Sequence, residues 1–294
     1  MGETEKKYVH AGRIAAEVKA EVLQKTEPGM RILEIAELIE QRVAEKNGSL
    51  AFPPNISIND MAAHYTPCHN DAKVIAENDL VKIDIGVHVD GYVGDLAFTY
   101  CSQTNELVKA AEQALQEAIK VIRPGVTVAE IGATIENFVH NSGFGLVTNL
   151  TGHGLERFSL HHEPSIPNVR NQNQHAFQAG DAIAIEPFVM ASDGYVKDTG
   201  LVEIYQYHAD RPVRLAEARA ILALVRDDYH GLPFAKRWLH AKFTAPKIAL
   251  ALRQLESVGA IESHPVLRAT DGKPIAQAEH TVLVADRPII TTSL

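Results

Sequence analysis

Two carboxylates stand where the folding pattern calls for carbon. In VKIDIGVHVDGYVGDLAFTY, residues 81–100, Asp84 and Asp95 fall among valine, isoleucine, leucine and phenylalanine, in a stretch that alternates like a β-hairpin. Asp90-Gly91 is a strong two-residue turn signal. Folding there pairs Val89 with Tyr92 and Gly86 with Asp95, and side chains two residues apart share a face. Asp84 and Asp95 are therefore expected as diagonal neighbours, with Cα atoms roughly 7–8 Å apart. Gly86 between them is expected to leave the face open. Two such carboxylates in an apolar setting repel each other, and one stays protonated unless cations neutralise both. Divalent metal ions would do this. Pairing with Lys or Arg, or a solvated strand face, is the alternative.

Further groups favour the metal. Glu186 ends the strand-like AIAIEPF, Glu279 lies in AQAEHTVLVADRPIIT, and His153 sits between glycines in LTGHGLE. The chain has 14 histidines but only two cysteines, Cys68 and Cys101, so a site of carboxylates and imidazole is expected and no disulfide framework. Such ligands suit Mn, Fe, Co or Zn and do not choose among them. Two such ions about 3.5–4 Å apart hold a bridging water, lower its pKa towards neutrality and polarise a carbonyl. That is the apparatus of metal-assisted amide hydrolysis.

The elements that must carry these residues include an internal repeat. PGMRILEIAELIE (28–40) and PGVTVAEIGATIE (124–136) share Pro, Gly, Glu, Ile, Ile and Glu at an offset of 96. In each, a helix with apolar residues at i, i+3 or i+4 and i+7 follows the Pro-Gly, and stops near Asn47-Gly48 or Ser142-Gly143. The strands 79–84 and 181–186 correspond at an offset of 102, which puts Asp84 and Glu186 in the same place in the two halves. A duplicated α+β unit follows.

The second copy is interrupted from about Glu203 to His264. LAEARAILALVRDDYHG, PFAKRWLHAKF and APKIALALRQLESVGAI read as three helices, and the Asp-Gly of HPVLRATDGKPI suggests a hairpin. This resembles a winged helix, but nine Lys/Arg against seven Asp/Glu make a weak phosphate-binding face. The expected division is a catalytic domain of 1–202 with 265–294, and an insert of 203–264.

At 294 residues, 46% hydrophobic and 22% charged, the composition is that of a soluble globular protein with an ample core. A net charge of −9 argues against general nucleic-acid binding. There is no apolar signal region at the N-terminus and no run long enough to span a membrane, so a cytoplasmic protein is expected.

Taken in order, these residues resemble methionine aminopeptidases of type II, within the creatinase, prolidase and aminopeptidase ("pita-bread") family. The resemblance is carried by IDIGVHVDGYVGDLAFTY, NLTGHGLERFSLH, AIAIEPF and AQAEHTVLV, and covers almost the whole chain. LAFPPNISINDMAAHYTP and the helical insert before the last glutamate are type-II-like. The lack of a charged N-terminal extension looks more like the archaeal form than the eukaryotic one. The resemblance implies a pita-bread fold, α+β, with a pseudo-two-fold repeat of helices packed on a curved antiparallel sheet, plus the insert. It also implies two divalent metal ions and removal of the initiator methionine from nascent chains when the second residue is small.

Carried over position by position, Asp95 and Glu279 bridge the metals, Asp84 holds the second, and His153 with Glu186 completes the first. Glu186 also takes the proton of the attacking water. His64, in AAHYTP, contacts substrate. His161, spaced eight from His153, hydrogen-bonds the scissile amide or its tetrahedral intermediate. The adjacent His162 must face the other way. Phe52 and Leu160 line the methionine pocket, although Phe52 could be plain core. His10, His69, His175 and His230 read as surface residues. Cys68-His69 and His264 depart from the family pattern, His264 standing where some members carry a pocket tyrosine. An Xaa-Pro peptidase of the same fold is the alternative enzyme, weakened because those relatives usually carry a separate N-terminal domain. A non-catalytic relative that binds RNA or protein is a further alternative, though such proteins have lost ligands. Expected partners are nascent N-termini, with proximity to the ribosome a family-level expectation, and neither membrane nor specific nucleic acid.

Overall fold

The computed structural model describes residues 2–294. The first half runs α1 (Glu3–Lys25), α2 (Ile32–Glu45), β1 (Ser49–Leu50), β2 (Asn55–Ile58), β3 (Met61–Ala63), β4 (Val81–Val89) and β5 (Tyr92–Tyr100). The second begins with α3 (Glu106–Val121) and α4 (Val128–Asn141). It continues through β6 (Gly145–Leu146), β7 (Thr151–Glu156), β8 (Ser159–Pro167), β9 (Ala182–Ile185), β10 (Phe188–Met190) and β11 (Val196–Tyr207). Next come α5 (Ala216–Asp227), β12 (Phe234–Ala235), a 3-10 helix (Lys236–Ala241) and α6 (Ala245–Ser257). The chain closes with β13 (Ile261–Ala269), β14 (Ala276–Gln277), β15 (His280–Leu283) and β16 (Ile289–Ile290).

The duplication is visible in the backbone. Gly29 N–H donates to the Ile75 carbonyl and Gly125 N–H to the Phe177 carbonyl, at the offsets of 96 and 102 read from the sequence. The bridges Arg31–Val74 and Thr127–Ala176 repeat the relation. Each second helix starts with a glutamate reaching back to a backbone N–H: Glu34 to Arg31, Glu130 to Thr127. Each ends with the chain at positive φ two residues before β1 or β6, at Asn47 (φ 60°) and Gly143 (φ 80°), residues that tolerate that region.

Each half has its own core. Ile32, Ile35, Ile39 and Val43 of α2 pack on Ile83, Ile85 and Val87 of β4. Val128, Ile131, Ile135 and Val139 of α4 pack with Ile183, Ile185 and Val282. Each such buried side chain contributes about 1.5–3 kcal/mol. The sheets are antiparallel: β1-β4-β2 with β5 on β4 in the first half, β16-β15-β9-β7-β8 in the second. They meet where β5 faces residues 277–281. Thr99 exchanges hydrogen bonds with the Gln277 backbone, Glu279 N–H donates to the Ala97 carbonyl, and Thr281 Oγ1 accepts from Asp95 N–H. The result is the curved sheet, flanked by helices, that the resemblance implies.

In the region read from the sequence as an insert, Ile221, Val225, Leu239, Leu252 and Leu255 form a separate core between α5, the 3-10 helix and α6. Two of its elements differ from the sequence expectation. PFAKRWLHAKF is not an α-helix: Phe234 and Ala235 pair with Tyr205 and Ile204 of β11, and only a 3-10 turn follows. The Asp271-Gly272 turn forms, with Gly272 at φ 70°, but closes no hairpin. β13 pairs with β11 and β3, and β14 joins β10. Among the described residues no helix is long and apolar enough to cross a membrane.

Candidate metal centre

The hairpin register is the one the turn dictates: Val89 opposite Tyr92, Gly86 opposite Asp95, Asp84 opposite Ala97. Asp84 and Asp95 thus share a face and reach the same cavity. Gly86 does not leave that face open, however. A Cβ there would lie 2.1 Å from the Phe52 ring, so the glycine admits the aromatic ring that covers it.

His153 is placed by β7, between β8 and β9. Its flanking glycine is sterically required: a Cβ on Gly152 would stand 2.3 Å from the Ala184 carbonyl oxygen. His153 pairs with Ala184, and two residues further along the strand direction comes Glu186. Glu279 precedes β15 and is fixed by its N–H bond to Ala97. Asp95, His153 and Glu279 are buried, at 3%, 5% and 2% exposure, and offer ligand atoms all within 4.8 Å of one another. His153 Nε2 lies 3.6 Å from Glu186 Oε1 and 3.8 Å from Asp95 Oδ2. All four acids and the His153 imidazole line one cavity of about 290 Å³ with Phe52, His64, Leu160 and His161.

The electrostatics suit bound cations. Among the described residues no Lys or Arg pairs with Asp84, Asp95, Glu186 or Glu279. Lys82, fully buried on the same strand face as Asp84, gives its ammonium to the carbonyls of Asn59 and Ile275 instead, at 2.9 Å each. The ion-pair alternative is therefore not what the fold builds. Asp84 Oδ1 and Asp95 Oδ1 are buried without a hydrogen-bond partner. Burial pushes the Asp84 carboxyl up to about 7. Burial, then mutual repulsion, raises Asp95, Glu186 and Glu279 well above the carboxylate range. Burial holds His153 down to about 4, so it is neutral at pH 7. Its Nδ1 faces the Gly154 carbonyl at 3.0 Å, which assigns the proton to Nδ1 and turns the Nε2 lone pair towards Asp95 and Glu186. Hard oxygens and one imidazole with free lone pairs fit borderline divalent ions.

The other cavity residues divide cleanly. His64 has φ 63°, and its Nδ1 donates to the Pro265 carbonyl at 3.2 Å. Burial, then the neighbouring His264, lowers it to about 4. His161 is exposed on the cavity wall and packs edge-on to His153 at 4.7 Å. Enclosure, then His153, His64 and His264, lowers its basicity. His162 faces the other way and pairs with Glu156 at 3.2 Å. His10, His69, His175 and His230 are exposed. Of the departures from the family pattern, His264 lines the cavity edge-on to His64 at 5.7 Å, while Cys68-His69 does not reach it. Sequence reasoning missed Asn149, Ile204 and Pro233 on the cavity wall: Asn149 opens the NLTGHGLERFSLH motif, whereas Ile204 and Pro233 carry no motif.

A buried carboxylate–imidazole cluster at the seam of two repeated α+β units defines a metallohydrolase. The chain belongs to metallopeptidase family M24, whose sequence model matches residues 6–285. It is 47% identical to the methionine aminopeptidase of Thermococcus onnurineus over 279 residues, 94% of this chain and 95% of that one. Among solved structures it resembles the methionine aminopeptidase of Thermotoga maritima, with TM-score 0.74 and 23% identity over 100% of this chain and 98% of that one. It also resembles a thermophilic Arx1, with TM-score 0.87 and 16% identity over 100% and 91%. The last two likenesses speak to fold alone.

Proposed function

We propose that the chain is a cytoplasmic dinuclear-metal aminopeptidase that removes the N-terminal methionine of nascent proteins when the second residue is small. The observation that carries this reading is the convergence of four carboxylates and one Nε2 lone pair with no protein cation to neutralise them. Asp95 and Glu279 would bridge two ions, Asp84 would complete one coordination set, and His153 with Glu186 the other. Two such ions, of Co, Mn, Fe or Zn, supply Lewis acidity and a water acidic enough to attack an amide at neutral pH.

The chain's own groups do the rest. Glu186 takes the proton of the attacking water and passes it to the leaving amine. Neutral His161 donates a hydrogen bond to the carbonyl side of the scissile amide, where negative charge develops. His64 keeps its proton on Nδ1, bound to Pro265, and so offers Nε2 as an acceptor to substrate N–H. Phe52 and Leu160, both buried at the cavity wall, provide an apolar surface for the methionine side chain. Residues 203–264 serve as an insert that completes the cavity through Ile204, Pro233 and His264. Docking near the ribosome would give access to nascent N-termini.

The test is release of free methionine from Met-Ala-Ser and Met-Pro-type peptides beside Ala-Pro controls. Release from the methionine peptides alone supports the proposal. Cleavage of the proline control moves the chain to the Xaa-Pro branch of the family. No cleavage with any metal favours a non-catalytic role.

A further inference from the structure

We infer that Arg237, contributed by the insert, is a positioning residue that sets the place of the His64 imidazole at the cavity. Arg237 does not line the cavity itself. It is 8% exposed, and its guanidinium is shared between two parts of the first half. Nη1 donates to Thr66 Oγ1 at 2.6 Å and to the Pro67 carbonyl at 3.3 Å, while Nη2 pairs with Glu40 of α2. Trp238 Nε1 donates to the same Glu40 oxygen at 2.8 Å, so two successive residues of the 3-10 helix fasten one carboxylate. A planar fork suits this divided task in a way a lysine ammonium does not.

What it holds is a loop that needs holding. His64, two residues before Thr66, sits at φ 63°, a region a β-substituted residue keeps only when its surroundings over-determine it. Those surroundings can be named. The His64 ring is tied to Pro265 of β13, the strand that returns from the insert. Tyr65 accepts at its carbonyl from Ile56 N–H and gives its hydroxyl to Asp71. Beyond Tyr65, the side-chain bonds to Thr66 and Pro67 come from Arg237.

The internal repeat shows that this arrangement is particular to the first half. Glu40 and Glu136 correspond at the offset of 96. Glu136 is paired by Arg170 of its own half at 2.7 Å, on the surface. The offset of 102 continues through this loop, because the turns Asp71–Lys73 and Asn173–His175 have the same side-chain-to-backbone bond at 2.9 Å. At that offset Arg170 falls opposite Cys68. The first half thus has no arginine of its own for Glu40 and takes one from the insert. His64 is therefore held from two sides, by Pro265 on the strand that leaves the insert and by Arg237 within it.

The inference rests on His64 being the substrate contact proposed above, and its test separates the two. Arg237→Lys and Thr66→Val are made in the full metal-loaded chain, each also in a His64→Ala background. Both are expected to melt near wild type and bind Mn²⁺ within about twofold of it, while kcat/KM on Met-Ala-Ser falls about tenfold. In the His64→Ala background either change should cost less than about twofold, since the group it positions is gone. Losses that add fully in that background overturn the inference, as does unchanged kcat/KM. A second readout needs no turnover: the ¹⁵N resonances of the His64 imidazole should move in both variants while those of half-buried His162, outside the cavity, stay. If wild type releases no methionine, the functional reading fails and these resonances alone decide. Moved His64 signals uphold the positioning role, and unmoved ones overturn it. Thr66→Val leaves the Arg237–Glu40 pair in place, so the test survives if Arg237→Lys does not fold.

Discussion

His153 Nε2 and Glu186 Oε1 lie 3.6 Å apart, reaching the same point from neighbouring strands. Nothing on the chain bonds them there. The imidazole proton is engaged by Gly154 on the other side of the ring, and burial with the charges of Asp95 and Asp84 disfavours a free glutamate anion. Such a pair is unstable as a structural contact and sensible as two ligands of one cation. A neutral amide at 186 removes both the charge and the proton acceptor while keeping the shape. Glu186→Gln is expected to keep the far-UV dichroism of wild type and to lower kcat by about 10²–10⁴-fold. Retained turnover would show that the proton goes elsewhere.

The site's titration sets a pH dependence with a definite sign. Asp84 is raised to about 7, and Asp95, Glu186 and Glu279 also hold their protons above the ordinary range. Their folded values exceed the unfolded ones, near 4, so their contribution to metal-free stability is full below about pH 4 and is lost as pH rises through the folded values, about 7 for Asp84. Buried His64 and His153, held to about 4, act with the opposite sign, but only below about pH 6.5. Between pH 6.5 and 8 buried Lys82, lowered to about 7, acts against the carboxylates, but it is one group against four. The metal-free chain should therefore melt lower at pH 8 than at pH 6.5. Metal binding requires the same carboxylates deprotonated, so Mn²⁺ affinity should fall by more than about tenfold per unit below pH 7. Calorimetric titration at three pH values checks both signs.

Gly86 and Phe52 form a steric pair. The Cβ of Gly86→Ala would stand 2.1 Å from the Phe52 ring, and the ring must move. Phe52 is 6% exposed and has little room to do so. The expected effect is a rise in KM for Met-Ala-Ser of about tenfold, with a loss of about 1–3 kcal/mol in stability from overpacking. Steady-state kinetics and thermal melting measure the two separately.

Adjacent histidines give an internal control. His161 touches His153 in the cavity, whereas His162 pairs with Glu156 outside it. His161→Ala should lower kcat about 10²-fold, and His162→Ala should leave it within about twofold. Equal losses would mean that strand alternation does not decide the role.

Much of this was legible in the sequence because it follows from short-range rules. Asp90-Gly91 fixes the hairpin register, and the register brings Asp84 to Asp95. The offsets of 96 and 102 reappear as paired backbone hydrogen bonds. What was not legible depends on distant partners. Phe234 and Ala235 look helical by spacing, but β11 captures them as a strand, and Arg237 and Trp238 are drawn to Glu40. The Asp271-Gly272 turn looks like a hairpin, yet Lys82 pins the Ile275 carbonyl and sends the chain to β10. Lys82 in an apolar strand was the one local sign that something there needed an ammonium.

The most direct measurement is methionine release from Met-Ala-Ser as metal-free chain is titrated with Mn²⁺. The expected result is no release after chelation, recovery on adding metal, and saturation at about two equivalents per chain, the number the proposed dinuclear centre requires. Release that survives complete removal of metal would contradict the assignment of Asp84, Asp95, His153, Glu186 and Glu279 as its ligands.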